Sequence, residues 1–290
     1  MSHNKIADQK KLNKDIIIKI DNKSFNLHNN PKLFLIAGPC VVESEEITYT
    51  IAKRLKQLAL KYKIPFVFKA SYKKANRTSG LSFRSIGVLE SLQILGEIRS
   101  RLSIPVLTDI HSEIEAEIAA EYVDVLQIPA FLSRQTELLE AAGFTGKIVN
   151  IKKGQFLSPD DMIHQIQKVE ATGNRKIFVT ERGTTFGYQN LVVDMRSLAV
   201  MKEFGYPVVF DATHSIQMPS RNDGVSGGSP QFIAPLARAA AAVGINGLFI
   251  ETHPEPKKAL SDASSMLPLK NLEGLLKQVL GIHKQASKYV

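Results

Sequence analysis

Short apolar runs alternate with amphipathic segments along most of the chain. From residue 33 onward, each apolar run is followed by a polar exit and then by a stretch with apolar residues at helical spacing. The apolar runs are residues 33–38, 66–69, 106–109, 125–128, 148–151, 177–180, 208–211 and 248–251. We interpret these eight runs as buried β-strands.

Helical patterns of suitable length follow the predicted strands. The predicted helices are residues 45–62, 86–102, 112–122, 134–142, 159–171, 191–204, 231–243 and 272–287. Ser158 is a suitable N-cap for the fifth of these helices, and Pro159 is a suitable first helical residue. Eight strand–helix units of about 30 residues each predict an α/β protein with a (β/α)8 TIM barrel.

The segment before the first barrel strand predicts a short hairpin. Residues 15–20 and 23–27 read as two strands that turn at Asp21 and Asn22, and we expect this hairpin, within residues 15–30, to plug one end of the barrel. Residues 1–14 are expected to be flexible, and residues 1–290 to form one domain. A doubly wound open sheet is the alternative fold, but no GxGxxG sequence follows the first predicted strand.

Composition is ordinary for a globular protein, with 44% hydrophobic and 22% charged residues. No apolar run approaches the roughly 20 residues that span a bilayer, and the N-terminus lacks the apolar segment of a signal peptide. We therefore expect a cytoplasmic protein with no membrane partner. The single cysteine, Cys40, excludes an intrachain disulfide and fits a reducing compartment.

The formal charge of +9 raises nucleic acid as a partner. The basic residues are dispersed along the chain, however, and no helix–turn–helix, zinc-finger or aromatic RNA-binding signature accompanies them. We therefore expect no nucleic-acid partner.

Polar or reactive side chains follow all eight predicted strands, and the carboxyl ends of the strands form the active site of an α/β barrel. These side chains are Cys40, Lys69, Asp109, Gln127, Lys152 with Gln155, Glu181 with Arg182, Asp211 with His214, and Glu251 with His253. A capping or solvated residue is the alternative at any single position. The joint pattern favours a catalytic site for an anionic substrate.

Five cations are predicted to converge at this end of the barrel. They are Lys69, Lys74, Arg77, Lys152 and Arg182. Ammonium and guanidinium groups bind phosphates and carboxylates. Since five cations exceed what one phosphate requires, we expect two anionic ligands, or a doubly charged one such as phosphoenolpyruvate. A solvated basic loop is the alternative for the segment after the second strand.

Four further residues offer ligands for one metal ion. They are Cys40, His214, Glu251 and Asp262. A thiolate, an imidazole and two carboxylates suit Zn, Fe, Mn or Co, although a lone cysteine is also a common small buried residue. Residues 217–230, rich in glycine, serine and proline near their end, predict a mobile loop that closes over the site, with a flexible loop without function as the alternative.

Seven motifs resemble the 3-deoxy-D-manno-octulosonate 8-phosphate synthase family. They are AGPCVVES (37–44), FKASYKKANRTS (68–79), DVLQIPAFLSRQT (124–136), NIKKGQFLSP (150–159), ERGTTFGYQNLVVDMR (181–196), FDATHSIQ (210–217) and LFIETHPEP (248–256). The resemblance extends over about residues 33–290. It implies a homotetrameric barrel that condenses phosphoenolpyruvate with D-arabinose 5-phosphate and water and releases phosphate. This aldol-type transferase reaction belongs to lipopolysaccharide biosynthesis and implies no organic cofactor.

The resemblance also implies roles for individual residues. Lys69, Ser71 and Lys74 would contact the carboxylate of phosphoenolpyruvate; Lys152, Arg182 and the backbone of Ala130 would hold its phosphate; Gln127 and Gln155 would line the same pocket. Asn76 would face the sugar hydroxyls, and Arg77 with Thr78 would bind the phosphate of arabinose 5-phosphate, partly across a subunit boundary. Lys74, which would also polarise the sugar aldehyde, Asn76 and His214 are the expected catalytic residues. Many relatives have serine at the position of Thr78, which keeps the hydroxyl.

The family has a metal-dependent and a metal-independent branch, and the latter has asparagine at the position of Cys40. Cys40, together with Ser261-Asp262-Ala263 instead of Cys-Asp-Gly, implies the metal-dependent branch. His214, Glu251 and Asp262 match the remaining ligands, so the resemblance implies one divalent transition metal per subunit.

The nearest rival is the sister enzyme that uses erythrose 4-phosphate. That enzyme typically has Lys-Pro-Arg-Thr where this chain has Lys74-Ala75-Asn76-Arg77-Thr78, and the additional residue favours the five-carbon sugar. A catalytically silent phosphosugar-binding barrel is a second alternative, which the complete cationic and metal sets disfavour.

Overall fold

Strands and helices alternate along most of the chain in the computed structural model, which describes residues 14–75, 83–188, 190–222 and 225–289. The strands are β1 (Ile17–Ile20), β2 (Lys23–Asn26), β3 (Phe34–Gly38), β4 (Phe66–Lys69), β5 (Val106–Asp109), β6 (Val125–Ile128), β7 (Ile148–Lys152), β8 (Ile177–Glu181), β9 (Thr184–Phe186), β10 (Asn190–Val192), β11 (Val208–Asp211), β12 (Gln217–Asn222), β13 (Val225–Gly228), β14 (Gly247–His253) and β15 (Leu267–Pro268). The α-helices are α1 (Glu45–Tyr62), α2 (Val88–Leu102), α3 (Glu113–Tyr122), α4 (Thr136–Phe144), α5 (Met162–Ala171), α6 (Arg196–Lys202), α7 (Ile233–Val243) and α8 (Leu269–Ala286).

Eight parallel strands close into a barrel. They are β3 to β8 in chain order, followed by β11 and β14. The pairing of β14 with both β11 and β3 completes the ring. The predicted (β/α)8 TIM barrel is therefore confirmed, and the open sheet is excluded. Among the described residues, no helix combines the length and apolar character needed to cross a lipid bilayer.

The helix after the first barrel strand shows why these segments fold locally. The Ser44 side chain accepts a hydrogen bond from the backbone N–H of Ile47, which satisfies one free donor at the start of α1. Ile51, Leu55 and Leu58 lie on one face of α1 and are buried in the layer between helices and strands. The predicted bounds of this helix agree with the structure.

The hairpin of β1 and β2 plugs the barrel, as predicted. Three buried residues in or directly beside this hairpin form one apolar cluster with residues of all eight barrel strands: Ile16, Ile18, Leu27, Phe34, Ile36, Val67, Leu107, Val125, Ile148, Phe178, Val209 and Phe249. The rings of Phe34 and Phe178 pack edge to face with centroids 5.7 Å apart, although β3 and β8 are not neighbours in the sheet. This cluster therefore fills the barrel interior. Residues 1–13 lie outside the described residues, and the assignment of the chain to one domain stays a prediction.

Two predictions for the segments after β8 and β11 are corrected. The predicted helix 191–204 starts too early: residues 191 and 192 belong to β10, which pairs with β9, and the helix α6 begins only at Arg196. Gly183 and Gly187 have positive φ angles, which allow the chain to turn before and after β9. Residues 217–230, predicted as a loop, contain the antiparallel ribbon of β12 and β13. The mobility of this ribbon stays a prediction.

The start of α5 is also corrected. The helix begins at Met162 instead of Pro159, and its N-cap is Asp161 instead of Ser158. Ser158 still accepts a hydrogen bond from the backbone of Asp161, but within a turn that precedes the helix. The Ser158-Pro159 pair therefore marks a turn, and the helix itself begins three residues later than predicted.

We expect Ile18→Ala to lower the free energy of unfolding by about 2–4 kcal/mol, because it leaves a cavity in the barrel interior. Ile17→Ala is the matched control, since Ile17 lies next to it on β1 with 48% of its surface exposed. This control should cost about 1 kcal/mol or less. Urea unfolding of both variants measures the difference, and equal losses would contradict the interior position of the hairpin.

Candidate active site

Polar and charged side chains from the barrel strands converge at the carboxyl ends of the strands, where they are almost fully buried. They are Lys69, Asp109, Gln127, Lys152, Gln155, Glu181, Arg182, Asp211 and Glu251. Every one of them was predicted from its position at a strand exit. Because an unpaired charge is costly in an apolar interior, each ionic group must be paired or hydrogen-bonded.

Gly38 allows β3 and β4 to approach closely at this end of the barrel. A Cβ atom at this position would lie 1.9 Å from the carbonyl oxygen of Lys69, so no other residue fits without backbone movement. Directly beyond this contact, the Lys69 ammonium donates to the carbonyl oxygen of Cys40 (3.0 Å) and to Glu251 Oε1 (2.5 Å). The contact therefore places three predicted site residues, Cys40, Lys69 and Glu251, together.

Glu251 is an ionised carboxylate with one free oxygen. Burial alone would raise its pKa, but Lys69, His214 and Lys74 together hold the pKa well below its ordinary value. Its Oε2 atom is buried and has no hydrogen-bond partner among the described residues. A buried anionic oxygen without a donor is the arrangement expected where a cation binds.

Three of the four predicted metal ligands lie together. The ligand atoms of Cys40, Glu251 and Asp262 all fall within 4.8 Å of one another, and Cys40 Sγ lies 3.2 Å from Asp262 Oδ2. The fourth, His214, presents Nε2 at 3.5 Å from Glu251 Oε1 and 4.0 Å from Asp262 Oδ2. The four donors therefore face one small volume, with His214 at its edge.

The chemistry of this group fits a divalent transition metal. Burial raises the pKa of the Cys40 thiol, and the neighbouring charges of Asp262 and Glu251 raise it further. A thiol, a carboxylate and a second carboxylate in contact repel one another when ionised, and a divalent cation removes that repulsion. Thiolate and imidazole donors favour Zn, Fe, Mn or Co over Mg.

Asp211 fixes the orientation of His214. Its Oδ2 atom lies 2.7 Å from His214 Nδ1, and its Oδ1 atom accepts from the backbone N–H of His214. Because a carboxylate only accepts, Nδ1 carries a proton, and Nε2 is the ring nitrogen that faces Glu251. This is the arrangement that a histidine metal ligand needs.

Asp211 also neutralises Lys152, whose ammonium lies 2.6 Å from Oδ2 and 4.0 Å from the centroid of the Phe249 ring. Burial lowers the pKa of Lys152, partly offset by Asp211. For Asp211, burial alone would raise the pKa, but His214 and Lys152 hold it well below its ordinary range.

Arg182 and Gln155, at the exits of two barrel strands, each have a buried polar atom without a hydrogen-bond partner among the described residues. Arg182 donates through Nη2 to Gln217 Oε1 (2.9 Å), while its Nη1 is buried and has no hydrogen-bond partner among the described residues. Gln155 Oε1 is also buried without a hydrogen-bond partner among the described residues. Burial lowers the pKa of Arg182, with Asp211 and Glu181 opposing that shift. The Nη1 donor of Arg182 is available to an anionic ligand, whereas the Gln155 oxygen can only accept a hydrogen bond from a ligand.

Gln127 and Ala130 lie at the exit of β6. Asn150 donates to Gln127 Oε1 (2.9 Å) and accepts from Thr180 (2.7 Å), so the Gln127 side chain has a fixed orientation. Ala130 begins a short turn directly after the strand and is 7% exposed. Asn150 was missed by sequence reasoning, because it lies inside a strand and not at its exit.

The segment after β4 adds a cation and a hydroxyl. Ser71 donates to Asp109 Oδ1 (2.5 Å) and accepts from the Lys74 ammonium (2.9 Å). Burial opposes the charge on Lys74, but Cys40, Glu251 and Asp109 raise its pKa above the ordinary value, so the ammonium is kept. The predicted sugar-binding residues Asn76, Arg77 and Thr78 lie outside the described residues.

Two residues at strand exits, Glu181 and His253, have their contacts with residues outside the predicted site. Glu181 accepts from the backbone of Gly183 (2.6 Å) and from Ser197 (2.9 Å), and lies 3.7 Å from the buried ammonium of Lys153. His253 accepts from the backbone of Glu255 and faces Glu43 at 3.8 Å, outside the group of metal ligands. Position at a strand exit therefore does not by itself place a side chain in the site.

Residues 15–288 of the chain match the DAHP synthetase I family. Three similar proteins are each named 2-dehydro-3-deoxyphosphooctonate aldolase. The protein of Dichelobacter nodosus is 53% identical over 255 residues, which cover 88% of this chain and 92% of that protein. The protein of Desulfatibacillum aliphaticivorans is 52% identical over 270 residues, 91% of this chain and 99% of that protein. The protein of Koribacter versatilis is 54% identical over 257 residues, 88% of this chain and 92% of that protein.

We expect Asp211→Asn to lower the free energy of unfolding by about 3–5 kcal/mol at neutral pH, because it leaves the Lys152 ammonium buried without its counterion. The pKa of Asp211 is lowered on folding, so this loss should be complete above about pH 5 and shrink as the pH falls further. Asp194→Asn is the control, since its pair with Arg196 is exposed and screened by solvent. Equal urea midpoints for the two variants would contradict this account.

Proposed function

We propose, from the premise that the chain belongs to the DAHP synthetase I family, that it condenses phosphoenolpyruvate with D-arabinose 5-phosphate and water. The products are 3-deoxy-D-manno-octulosonate 8-phosphate and inorganic phosphate, in lipopolysaccharide biosynthesis. The observation that carries this function is the shared name of relatives that are 52–54% identical over most of both chains. The chain is therefore an enzyme that forms a carbon–carbon bond.

Lys152 and Arg182 bind the phosphate of phosphoenolpyruvate, with the backbone of Ala130 and the side chains of Gln127 and Gln155 completing the pocket. The buried and unpartnered Nη1 of Arg182 supports this role. A guanidinium binds phosphate through two parallel hydrogen bonds, and one of its nitrogens is available for that purpose. Lys152 is held by Asp211 until the phosphate offers it a second anion.

Lys69, Ser71 and Lys74 contact the carboxylate of phosphoenolpyruvate, and Lys74 also polarises the aldehyde of the sugar. The raised pKa of Lys74 supports this role, because a charged ammonium is needed where an alkoxide develops. Asn76 faces the sugar hydroxyls, and Arg77 with Thr78 binds the sugar phosphate. Ala75 connects Lys74 directly to that segment of the chain.

In the reaction, C3 of phosphoenolpyruvate attacks the aldehyde carbon while water attacks C2, and phosphate then leaves by cleavage of its C–O bond. The cations supply most of the effect, because they hold two anionic substrates in reacting geometry and stabilise developing negative charge. When no metal is bound, Nε2 of His214, whose ring is fixed by Asp211, is free to orient the attacking water.

The metal proposed for Cys40, His214, Glu251 and Asp262 is Zn, Fe, Mn or Co, one per subunit. When bound, it supplies Lewis acidity beside the aldehyde and the water. The free oxygen of Glu251 supports this site. No organic cofactor is proposed.

The enzyme is further proposed to be a cytoplasmic homotetramer. Large apolar side chains with at least 70% exposure support subunit contacts. Among the described residues they are Ile114, Phe144, Phe186, Tyr188 and Tyr289. The cytoplasm is where phosphoenolpyruvate and sugar phosphates occur, so the substrates support that location.

The enzyme should consume arabinose 5-phosphate at least about tenfold faster than erythrose 4-phosphate when each is offered with phosphoenolpyruvate. The reason is the additional residue in the sequence from Lys74 to Thr78, which favours the five-carbon sugar over the four-carbon one. Release of inorganic phosphate measures the rate, with phosphoenolpyruvate alone as background. Equal rates, or faster use of erythrose 4-phosphate, would assign the chain to the sister activity.

Cys40→Asn should weaken metal binding by more than about 100-fold, because it removes the thiolate from the ligand group. Elemental analysis after dialysis against a chelator gives the metal content directly. Ser261→Ala is the control, since Ser261 contacts the Cys40 sulfur (2.9 Å) but is not a proposed ligand, and it should keep the metal. A wild-type enzyme that stays fully active with no detectable metal would refute the site and leave the synthase assignment standing.

A further inference from the structure

A second cluster of charged groups lies beside the proposed site and takes no part in the function described so far. Its centre is Glu115, a half-buried carboxylate in the first turn of α3. Glu115 accepts hydrogen bonds from the Tyr72 hydroxyl, the Lys73 ammonium and the backbone N–H of His111 (2.9 Å). Its Oε2 atom also lies 3.1 Å from His111 Nδ1.

Side-chain contacts connect Glu115 to Lys74. His111 Nε2 lies 3.2 Å from Asp109 Oδ2, and Asp109 Oδ1 accepts from Ser71 (2.5 Å). Ser71 in turn accepts from the Lys74 ammonium (2.9 Å). An unbroken series of hydrogen-bonding groups therefore extends from α3 to the ammonium that is proposed to act on both substrates.

The main chain provides a second connection. Tyr72 and Lys73 are the two residues between Ser71 and Lys74, and both side chains are held by Glu115. The carbonyl oxygen of Tyr72 accepts from Ser85 (2.7 Å), and the backbone N–H of Lys74 donates to the carbonyl oxygen of Arg84 (2.8 Å). Glu115 and these two backbone contacts together hold the short segment that carries Lys74.

The charges in this cluster suit a permanent anchor. Burial alone would raise the pKa of Glu115, but Lys73, Tyr72 and His111 lower it below the ordinary value. Burial and the hydrogen bond to Glu115 raise the pKa of Tyr72, so its hydroxyl remains a donor. Glu115 is therefore an ionised acceptor, and the Tyr72 hydroxyl a protonated donor, throughout the neutral pH range.

We propose that Glu115 is a positioning residue for Lys74, acting through Tyr72 and Lys73 along the chain and through His111, Asp109 and Ser71 by side-chain contacts. The proposal rests on the proposed function for the role of Lys74, but Glu115 itself touches no substrate. The competing explanation is a purely structural tie between α3 and the exit of β4.

Glu115→Ala should lower kcat/KM by about tenfold, mainly through kcat, because Lys74 acts as charge develops on the aldehyde oxygen. Glu115→Gln should restore kcat/KM to within about threefold of wild type, since the amide oxygen still accepts from Tyr72 and His111. Glu117→Ala is the matched control, an exposed position on the same helix. A structural tie alone would lower the urea midpoint of Glu115→Ala and leave kcat/KM of the folded enzyme at the control value.

Chemical labelling of Lys74 provides a measurement that does not depend on turnover. Acetylation by an N-hydroxysuccinimide ester, followed by mass spectrometry, should be at least about threefold faster at Lys74 in Glu115→Ala, because a side chain that is no longer held against Ser71 loses its proton and meets the reagent as the free amine more often. Labelling of Lys152 should be unchanged. Tyr72→Phe, which retains the ring, should act in the same direction, and the double variant should lose less than the sum of the two single losses.

Lys74 labelling within twofold of the Glu117→Ala control overturns the proposal, even if kcat/KM falls. A kcat/KM at the control value overturns it as well. Failure of the proposed function is a separate result, because the wild-type enzyme would then not turn over phosphoenolpyruvate and arabinose 5-phosphate. The labelling rates would still decide whether Glu115 holds Lys74.

Discussion

The mouth of the barrel depends on the pairing of buried lysines with buried carboxylates. Lys69 with Glu251 and Lys152 with Asp211 are contacts of 2.5 and 2.6 Å between side chains that are almost completely buried. One buried charge without its partner would be strongly unfavourable, because within each pair the attraction between the two charges offsets the cost of removing them from water. The aromatic ring of Phe249 lies beneath Lys152 and joins these pairs to the apolar barrel interior. The site is therefore continuous with the core and cannot be altered independently of it.

Each of these carboxylates has two functions in the fold. Asp211 neutralises Lys152 and also sets the ring orientation of His214, while Glu251 neutralises Lys69 and keeps one oxygen free. An anionic substrate can therefore bind to cations that are already in place, and a metal ion to carboxylates that are already in place. Because the polar groups are already in place, little reorganisation is needed when substrates bind.

Much of the barrel is predictable from the sequence, because each barrel strand is a short apolar run with buried residues on both faces. The predicted bounds of β4, β5, β6 and β11 agree with the structure. The hairpin of β9 and β10 was not predictable in this way, since the apolar residues from Leu191 to Val193 also fit the first turn of a helix. Glycines at 183 and 187 are the signal that could have revealed it.

The sequence also identified only part of the site. Position at the end of a strand identified Lys69, Lys152, Asp211 and Glu251, because all parallel strands end at one rim of the barrel. It could not tell that Glu181 belongs with Lys153, or that Glu115 belongs with Tyr72 and Lys73. Those partners depend on side-chain direction across different elements, and no local pattern records such contacts.

The plug of the barrel has a consequence for synthesis on the ribosome. The hairpin residues Ile16 and Ile18 are among the first described residues to be made, yet their cluster includes Phe249 from the last barrel strand. About 230 residues separate these partners in the chain, so the contact forms late and has a high entropic cost of loop closure. Until β14 leaves the exit tunnel, the nascent chain holds an unsealed apolar surface. We infer that the time between these two events is the period in which this protein most needs protection from aggregation.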